Sequence, residues 1–221
     1  MNIYTKEPAI PAQACIIWMH GLGSDAQNMM NLVNQLTVNH AIRHIFLNAP
    51  IRPVTINQGI PMRAWYDITG FGLTNRDDRE GLSASSTHIT NVIQQQLSNN
   101  LLPQQIFLAG FSQGGAMALY TGLQLQYAIG GIIALSAYLP LATEHAMRSP
   151  EPVPVFFGVG TTDSIVLPEW SKQVYSWLLS CNFQDITWHE YAMEHSICAR
   201  EIRDLSQWIE NKCASTNGAI L

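Results

Sequence analysis

Short, nearly continuous apolar runs alternate along this chain with longer segments whose apolar positions recur every three or four residues. The runs at 15–19, 44–49, 105–109, 130–135, 153–159 and 186–191 have the length and apolarity of strands buried on both faces. Between them the spacing predicts helices over about 26–38, 78–99, a stretch from Ala116, then 169–181 and 197–213. In the first of these Met29, Met30, Leu32, Val33 and Leu36 share one side. From about Ala214 the chain reads as a frayed tail. Strand alternating with helix predicts an α/β fold, in which right-handed crossovers build one mostly parallel sheet with helices on both faces. Residues 1–221 read as one domain of that kind, with about 214–221 as a flexible tail.

One stretch breaks the alternation. From 52 to 82 periodicity is lost, and Gly59, Pro61, Gly70 and Gly72 interleave with Met62, Trp65, Tyr66, Ile68, Phe71 and Leu73. Irregular loops of this length are usually functional, and apolar side chains beside a catalytic centre wall in apolar substrates. Trp65 reads equally as a substrate contact or as a core-facing tryptophan, whereas Phe71 and Leu73 are expected to touch substrate.

Composition narrows the chemistry. Charged residues make up 12% of the 221 and the formal net charge is -5. Without a Lys/Arg cluster the chain offers little to a phosphate backbone, so no nucleic-acid partner is expected. No apolar run approaches the ~20 residues that cross a membrane as a helix. The first eight residues include Glu7 and Pro8 where a signal peptide would place its positive and apolar parts, so a cytoplasmic location is expected. Cys15, Cys181, Cys198 and Cys213 lack metal-binding spacing, and neither a metal, a disulfide nor another cofactor is implied.

The run at 105–109 leads into Gly110-Phe111-Ser112-Gln113-Gly114, and helix formers follow. A G-x-S-x-G sequence between strand and helix is a nucleophile elbow: the serine sits on a strained turn with its hydroxyl above the sheet. A serine hydroxyl needs a base, and the base needs an orienting group, each expected on a loop after a later strand. Asp163 follows the 153–159 run and His195 follows 186–191. Among the rivals, His40 and His44 flank a strand start, His88 falls in a helix, His145 in a polar loop and His189 inside a strand. Asp185 precedes its strand, while Glu190 and Glu194 are too near His195 in sequence. The glycine-rich turn His20-Gly21-Leu22-Gly23-Ser24-Asp25, after the first run, exposes backbone N–H groups of the kind an oxyanion hole needs. Leu22 and Gln113 are the expected donors.

Together with Ala64-Trp65-Tyr66-Asp67, Gly160-Thr161-Thr162-Asp163 and His195-Ser196, these motifs closely resemble the phospholipase/carboxylesterase family, which includes acyl-protein thioesterases. The resemblance extends from the first strand to the last helix. It implies a cap-less α/β-hydrolase fold and a serine carboxylesterase acting on esters or thioesters with an apolar acyl group. Ser112, Asp163 and His195 would then form the triad, with Leu22 and Gln113 as oxyanion donors. Within that class the main activity could be acyl-protein thioesterase or lysophospholipase, so the partner would be a small or lipid-like acyl ester or an S-acylated protein. A non-catalytic acyl-binding protein on the same scaffold is the alternative of a different class, against which the intact triad argues, and a homodimer through the aromatic segment is compatible with the sequence but not decided by it. The family often places a glycine shortly before its histidine, where this chain has Tyr191-Ala192-Met193-Glu194.

Overall fold

A computed structural model of the chain describes residues 2–70, 72, 78–141 and 152–218. Its main sheet has seven strands, β1 (Ile3–Lys6), β2 (Ala14–Met19), β3 (Ile42–Leu47), β6 (Ile106–Phe111), β7 (Gly131–Leu135), β8 (Val155–Gly160) and β9 (Ile186–Tyr191), in the order β1-β3-β2-β6-β7-β8-β9. All neighbours are parallel except β1, which runs antiparallel to β3. Every residue of β2, β7 and β8 is buried, because the sheet is covered twice. Helices α2 (Arg79–Ser98), α3 (Gln113–Gly122) and α4 (Pro168–Ser180) pack on one face, and α1 (Ala26–Val33) and α5 (Ala199–Gly218) on the other. In α2 the buried positions Leu82, Ser85, Ile89, Val92, Ile93 and Gln96 repeat at three and four, the period of a helix lying on a sheet.

The differences from the sequence reading have local causes. β1 carries no hydrophobic signature: all four of its residues are exposed, and it exists by pairing with β3, Ile3 opposite Leu47 and Lys6 opposite His44. Within the aperiodic stretch lies a hairpin, β4 (Ile51–Val54) with β5 (Ile60–Arg63), masked by Pro53 and Pro61, which face each other in it. Helix α1 stops at Val33 rather than Val38, because the N–H groups of Thr37 and Asn39 donate to Ser206 Oγ and Glu210 Oε2 on α5 instead of continuing the helix. β3 ends at Leu47 because the next two residues turn toward the first turn of the fold: Asn48 Oδ1 accepts from Ala26 N and Ala49 N donates to His20 Nε2. Helix α5 passes through Ala214 and runs to Gly218, the last described residue.

The registers align Met19 with Gly110, Phe111 with Leu135, Leu135 with Gly158, and Gly160 with Tyr191. The carboxyl ends of β2, β6, β7, β8 and β9 therefore lie along one edge of the sheet, where open α/β sheets bind their ligands. The segments that follow them carry His20 to Ser24, Ser112, Ser136 to Leu141, Thr161 to Val166 and Ala192 to Cys198.

Candidate active site

Ser112 occupies the turn from β6 to α3 with φ 54 and ψ -120. A side chain other than glycine in this region costs on the order of 1–3 kcal/mol, and the surroundings hold it there. Its N–H donates to Leu135 O at 2.9 Å and its carbonyl accepts from Ala116 N at 2.9 Å. The turn is tight enough that a Cβ on Gly110 would collide with the backbone of Gly114, and one on Gly114 with the backbone of Met19 and His20.

Across the sheet edge Ser112 Oγ lies 2.9 Å from His195 Nε2, and His195 Nδ1 lies 2.7 Å from Asp163 Oδ2. The other carboxylate oxygen, Oδ1, accepts from Ile165 N and Val166 N, both at 2.9 Å. Burial pushes the Asp163 carboxyl up, but the hydrogen bonds from His195, Val166 and Ile165 outweigh it and hold the group below its ordinary 3.8. An ionised Asp163 only accepts, so the proton of neutral His195 sits on Nδ1 and the Nε2 lone pair faces the serine hydroxyl. The ring of Phe111, 4.7 Å from that of His195, backs the imidazole. The three residues expected from their places after strands thus meet in one hydrogen-bonded line.

The two residues expected to supply N–H donors, Leu22 and Gln113, line the same cavity as Ser112 and His195. Gln113 N is the first amide of α3, one of the four a helix leaves without an internal acceptor, and Ser112 supplies no side-chain cap. Leu22 N lies between two turn bonds, Gly23 N to Arg63 O and Ser24 N to Gly21 O. What aims it is a residue the sequence reading passed over. His20 is fully buried; its Nε2 accepts from Ala49 N at 3.1 Å, so its proton is on Nδ1, which donates to Gly21 O at 2.7 Å. Burial also lowers the pKa of this ring from its ordinary 6.5, which keeps it neutral at pH 7. A trans peptide points its C=O and N–H in opposite directions. Anchoring Gly21 O on His20 and Ser24 therefore fixes the Leu22 N–H pointing away from both of them, in a turn whose Gly21 and Leu22 line the cavity.

Trp65 does not line that cavity, which corrects its reading as a substrate contact. It has no exposed surface, and its indole Nε1 donates to His20 O at 2.9 Å with the rings 5.5 Å apart. Its N–H donates to Gln113 Oε1, and Gln113 Nε2 donates to Tyr66 O. His20, Trp65 and Gln113 form one buried clamp behind both donors. The large indole is apolar bulk with one polar atom, and the core satisfies both better than a pocket wall would. The other two expected contacts, Phe71 and Leu73, lie outside the described residues.

The cavity, about 610 Å³, is lined by Ser112 and His195, and its other walls fall into two sets, or arms, over the two opposite cores. One is apolar, walled by Leu22, Ile56, Ile68, Tyr138, Ile165 and Val166, over the core of the α2–α3–α4 face. The Tyr138 hydroxyl is tied to that of Tyr66 at 2.6 Å, which leaves its ring as the wall. The other arm lies over the opposite core, between α1 and the start of α5, with Met29, Leu32 and Ile202 beneath and Asn28, Asn31 and Gln35 along its rim. Ile68 belongs to the apolar residues of the aperiodic stretch that the sequence offered as substrate walls, whereas Ile56 and Tyr138 were not singled out, because an isolated apolar residue in a loop carries no signal of what it faces.

The family model for phospholipases/carboxylesterases matches residues 2–213. Acyl-protein thioesterase 1 of Emericella nidulans is 32% identical, with 94% of each chain covered, and that of Mycosarcoma maydis is 34% identical over 94% of this chain and 95% of the relative. Among solved structures, Arabidopsis thaliana SOBER1 superposes with a TM-score of 0.84 at 26% identity, covering 90% of this chain and 98% of that one. Zea mays acyl-protein thioesterase 2 superposes with a TM-score of 0.83 at 24% identity, covering 96% and 99%. The fold is accordingly that of the α/β-hydrolases, and the chain belongs to the phospholipase/carboxylesterase family, hydrolases of carboxylic esters and thioesters.

Proposed function

We propose that Ser112, His195 and Asp163 are the nucleophile, general base and orienting acid of this hydrolase, and that Leu22 N–H and Gln113 N–H form its oxyanion hole. The observation that carries this reading is the unbroken line from Ser112 Oγ through the His195 ring to Asp163, with bonds of 2.9 and 2.7 Å. As Ser112 Oγ attacks the acyl carbonyl its proton passes to His195 Nε2, and the charge forming on the carbonyl oxygen is met by the two amides. The tetrahedral species collapses, the leaving thiol or alcohol departs with the proton from His195, and Ser112 is left acylated. Water, deprotonated by the same nitrogen, then releases the acid and restores the serine.

The apolar arm takes the acyl chain, since no Lys, Arg, Asp or Glu is among its described walls. The thioesterase names of the relatives favour a thioester, in an S-acylated protein, over a lysophospholipid as the main substrate. We further take residues 1–221 as one catalytic domain acting in the cytoplasm; among the described residues no helix is long and apolar enough to cross a membrane.

The test is hydrolysis of acyl esters and matched thioesters over a series of chain lengths by the wild type and Ser112→Ala, with labelling by a serine-reactive fluorophosphonate. Turnover and labelling by the wild type alone are expected. Full activity in Ser112→Ala would refute the assignment, and an unlabelled, inactive wild type would favour an acyl-binding role.

A further inference from the structure

The second arm of the cavity is the side on which the leaving group must depart. In the proposed mechanism the leaving atom takes its proton from His195 Nε2, so it faces that ring as the acyl chain enters the apolar arm. The residues after His195, namely Ser196, Ile197, Ala199 and Ile202, border the arm between α1 and α5. This arm does not end at the cavity. Gln35 also lines a second cavity of about 430 Å³ further along the same two segments, where Arg203, Ser206 and Glu210 continue the α5 side; here Thr37 N and Asn39 N donate across to Ser206 Oγ and Glu210 Oε2, so a chain would lie over this part rather than between the segments. From Ala199 to Glu210 at 1.5 Å per helical residue the track is about 16 Å long, roughly five residues of extended chain.

Its chemistry is that of a peptide backbone's partner. The floor of the first part is Met29, Leu32 and Ile202, and the rim carries carboxamides at 28, 31 and 35, spaced by three and four along one side of α1 and its continuation. Asn28 Nδ2 is bonded to Ser24 Oγ, Asn31 Oδ1 accepts from Gln27, and Gln35 Nε2 donates to Asn31 O. Asn28 Oδ1, Asn31 Nδ2 and Gln35 Oε1 are left without a protein partner among the described residues, two acceptors and one donor for the N–H and C=O groups of a chain lying alongside. A lysophospholipid would fit badly. Its phosphate lies three carbons from the ester oxygen, in the part of the track whose described walls contain neither Lys nor Arg.

Resting on the hydrolase reading above, we infer that the cleft between α1 and α5 is a leaving-group track that holds about five residues of extended polypeptide flanking the S-acylated cysteine. Binding energy from this remote segment serves the reacting centre, so an acylated peptide is a better substrate than the same acyl chain on a small thiol.

The experiment compares kcat/KM for an S-octanoyl cysteine within an uncharged ten-residue peptide, for octanoyl-N-acetylcysteamine and for octanoyl lysophosphatidylcholine. It is run on the wild type, Asn31→Trp and Gln35→Trp, whose original side chains are exposed and whose folding is checked by thermal melting. The wild type is expected to prefer the peptide over the small thioester by tenfold or more, and either tryptophan to cut that ratio to within about threefold of one. A peptide preference below threefold, or one that both variants retain, overturns the track while leaving the hydrolase intact. An equal loss on the lysophospholipid also overturns it, since a headgroup would then occupy the cleft. If the wild type hydrolyses none of the three and Ser112 is not labelled, it is the catalytic assignment that has failed.

Discussion

His20 offers the sharpest separation between holding the fold and aiming a catalytic dipole. Its two ring nitrogens do different things: Nδ1–H fixes Gly21 O, and with it the opposed Leu22 N–H, while Nε2 accepts from Ala49 N. Asparagine places an amide donor where Nδ1 was and glutamine an amide oxygen where Nε2 was, so His20→Asn keeps the Gly21 bond and His20→Gln keeps the Ala49 bond. His20→Asn leaves Ala49 N unpaired, worth about 1–3 kcal/mol, whereas in His20→Gln Gly21 O keeps the bond from Ser24 N but loses its second anchor, so the melting temperature should fall more in His20→Asn. Their rates should not agree. A misdirected Leu22 N–H removes one oxyanion donor, about 10²- to 10³-fold in kcat or roughly 2.7–4 kcal/mol, and this loss is expected for His20→Gln and His20→Ala but largely spared in His20→Asn. KM should stay within a few-fold in all three, because the bond strengthens only as charge develops on the carbonyl oxygen. The assay is steady-state hydrolysis of a short thioester beside thermal melts in the same buffer. Equal kcat in His20→Asn and His20→Gln, or activity that tracks melting temperature alone, would refute the argument.

Three other outcomes follow from the geometry. Glu201 is fully buried on α5 with neither carboxyl oxygen hydrogen-bonded among the described residues, and burial pushes its pKa from 4.5 up to about 8. The native protein therefore holds a proton that the unfolded chain releases, and stability should fall as pH rises from about 4.5 to about 8. Glu201→Gln should remove that slope, gaining on the wild type by something on the order of 4 kcal/mol at pH 8 and little at pH 4.5; denaturant melts showing a pH-independent difference would contradict this. A Cβ at Gly114 meets the main chain of Met19 and His20, so Gly114→Ala should destabilise by more than about 3 kcal/mol and show as insolubility or a large drop in melting temperature. Ile56, half-buried in the wall of the apolar arm, becomes an obstruction as Ile56→Trp, which should move the chain-length optimum for esters to shorter acyl groups; an unmoved optimum would put the acyl chain elsewhere.

What could be read from sequence is what is encoded locally. The elbow was legible because strand, glycine-flanked serine and helix formers are contiguous, and Asp163 and His195 because each directly follows a buried-strand pattern. What stayed hidden depends on partners distant in the chain. The role of His20 requires the Ala49 amide, the end of α1 is set by Ser206 and Glu210 on α5, and β1 acquires its strand from β3. Trp65 was open to both readings, substrate wall and core, and what decides for the core is again a distant partner: the indole N–H is matched to His20 O and the ring has no exposed surface. The carboxamides of α1 are the most instructive case. By period alone Asn28, Asn31 and Gln35 are the solvated face of an amphipathic helix, and they gain a second reading only once α5, starting over 160 residues later at Ala199, lies alongside and turns that face into one bank of a cleft leading away from Ser112. Surface polarity on the first helix is thus where selectivity for the leaving group would be written, independently of the acyl arm on the other side of the sheet.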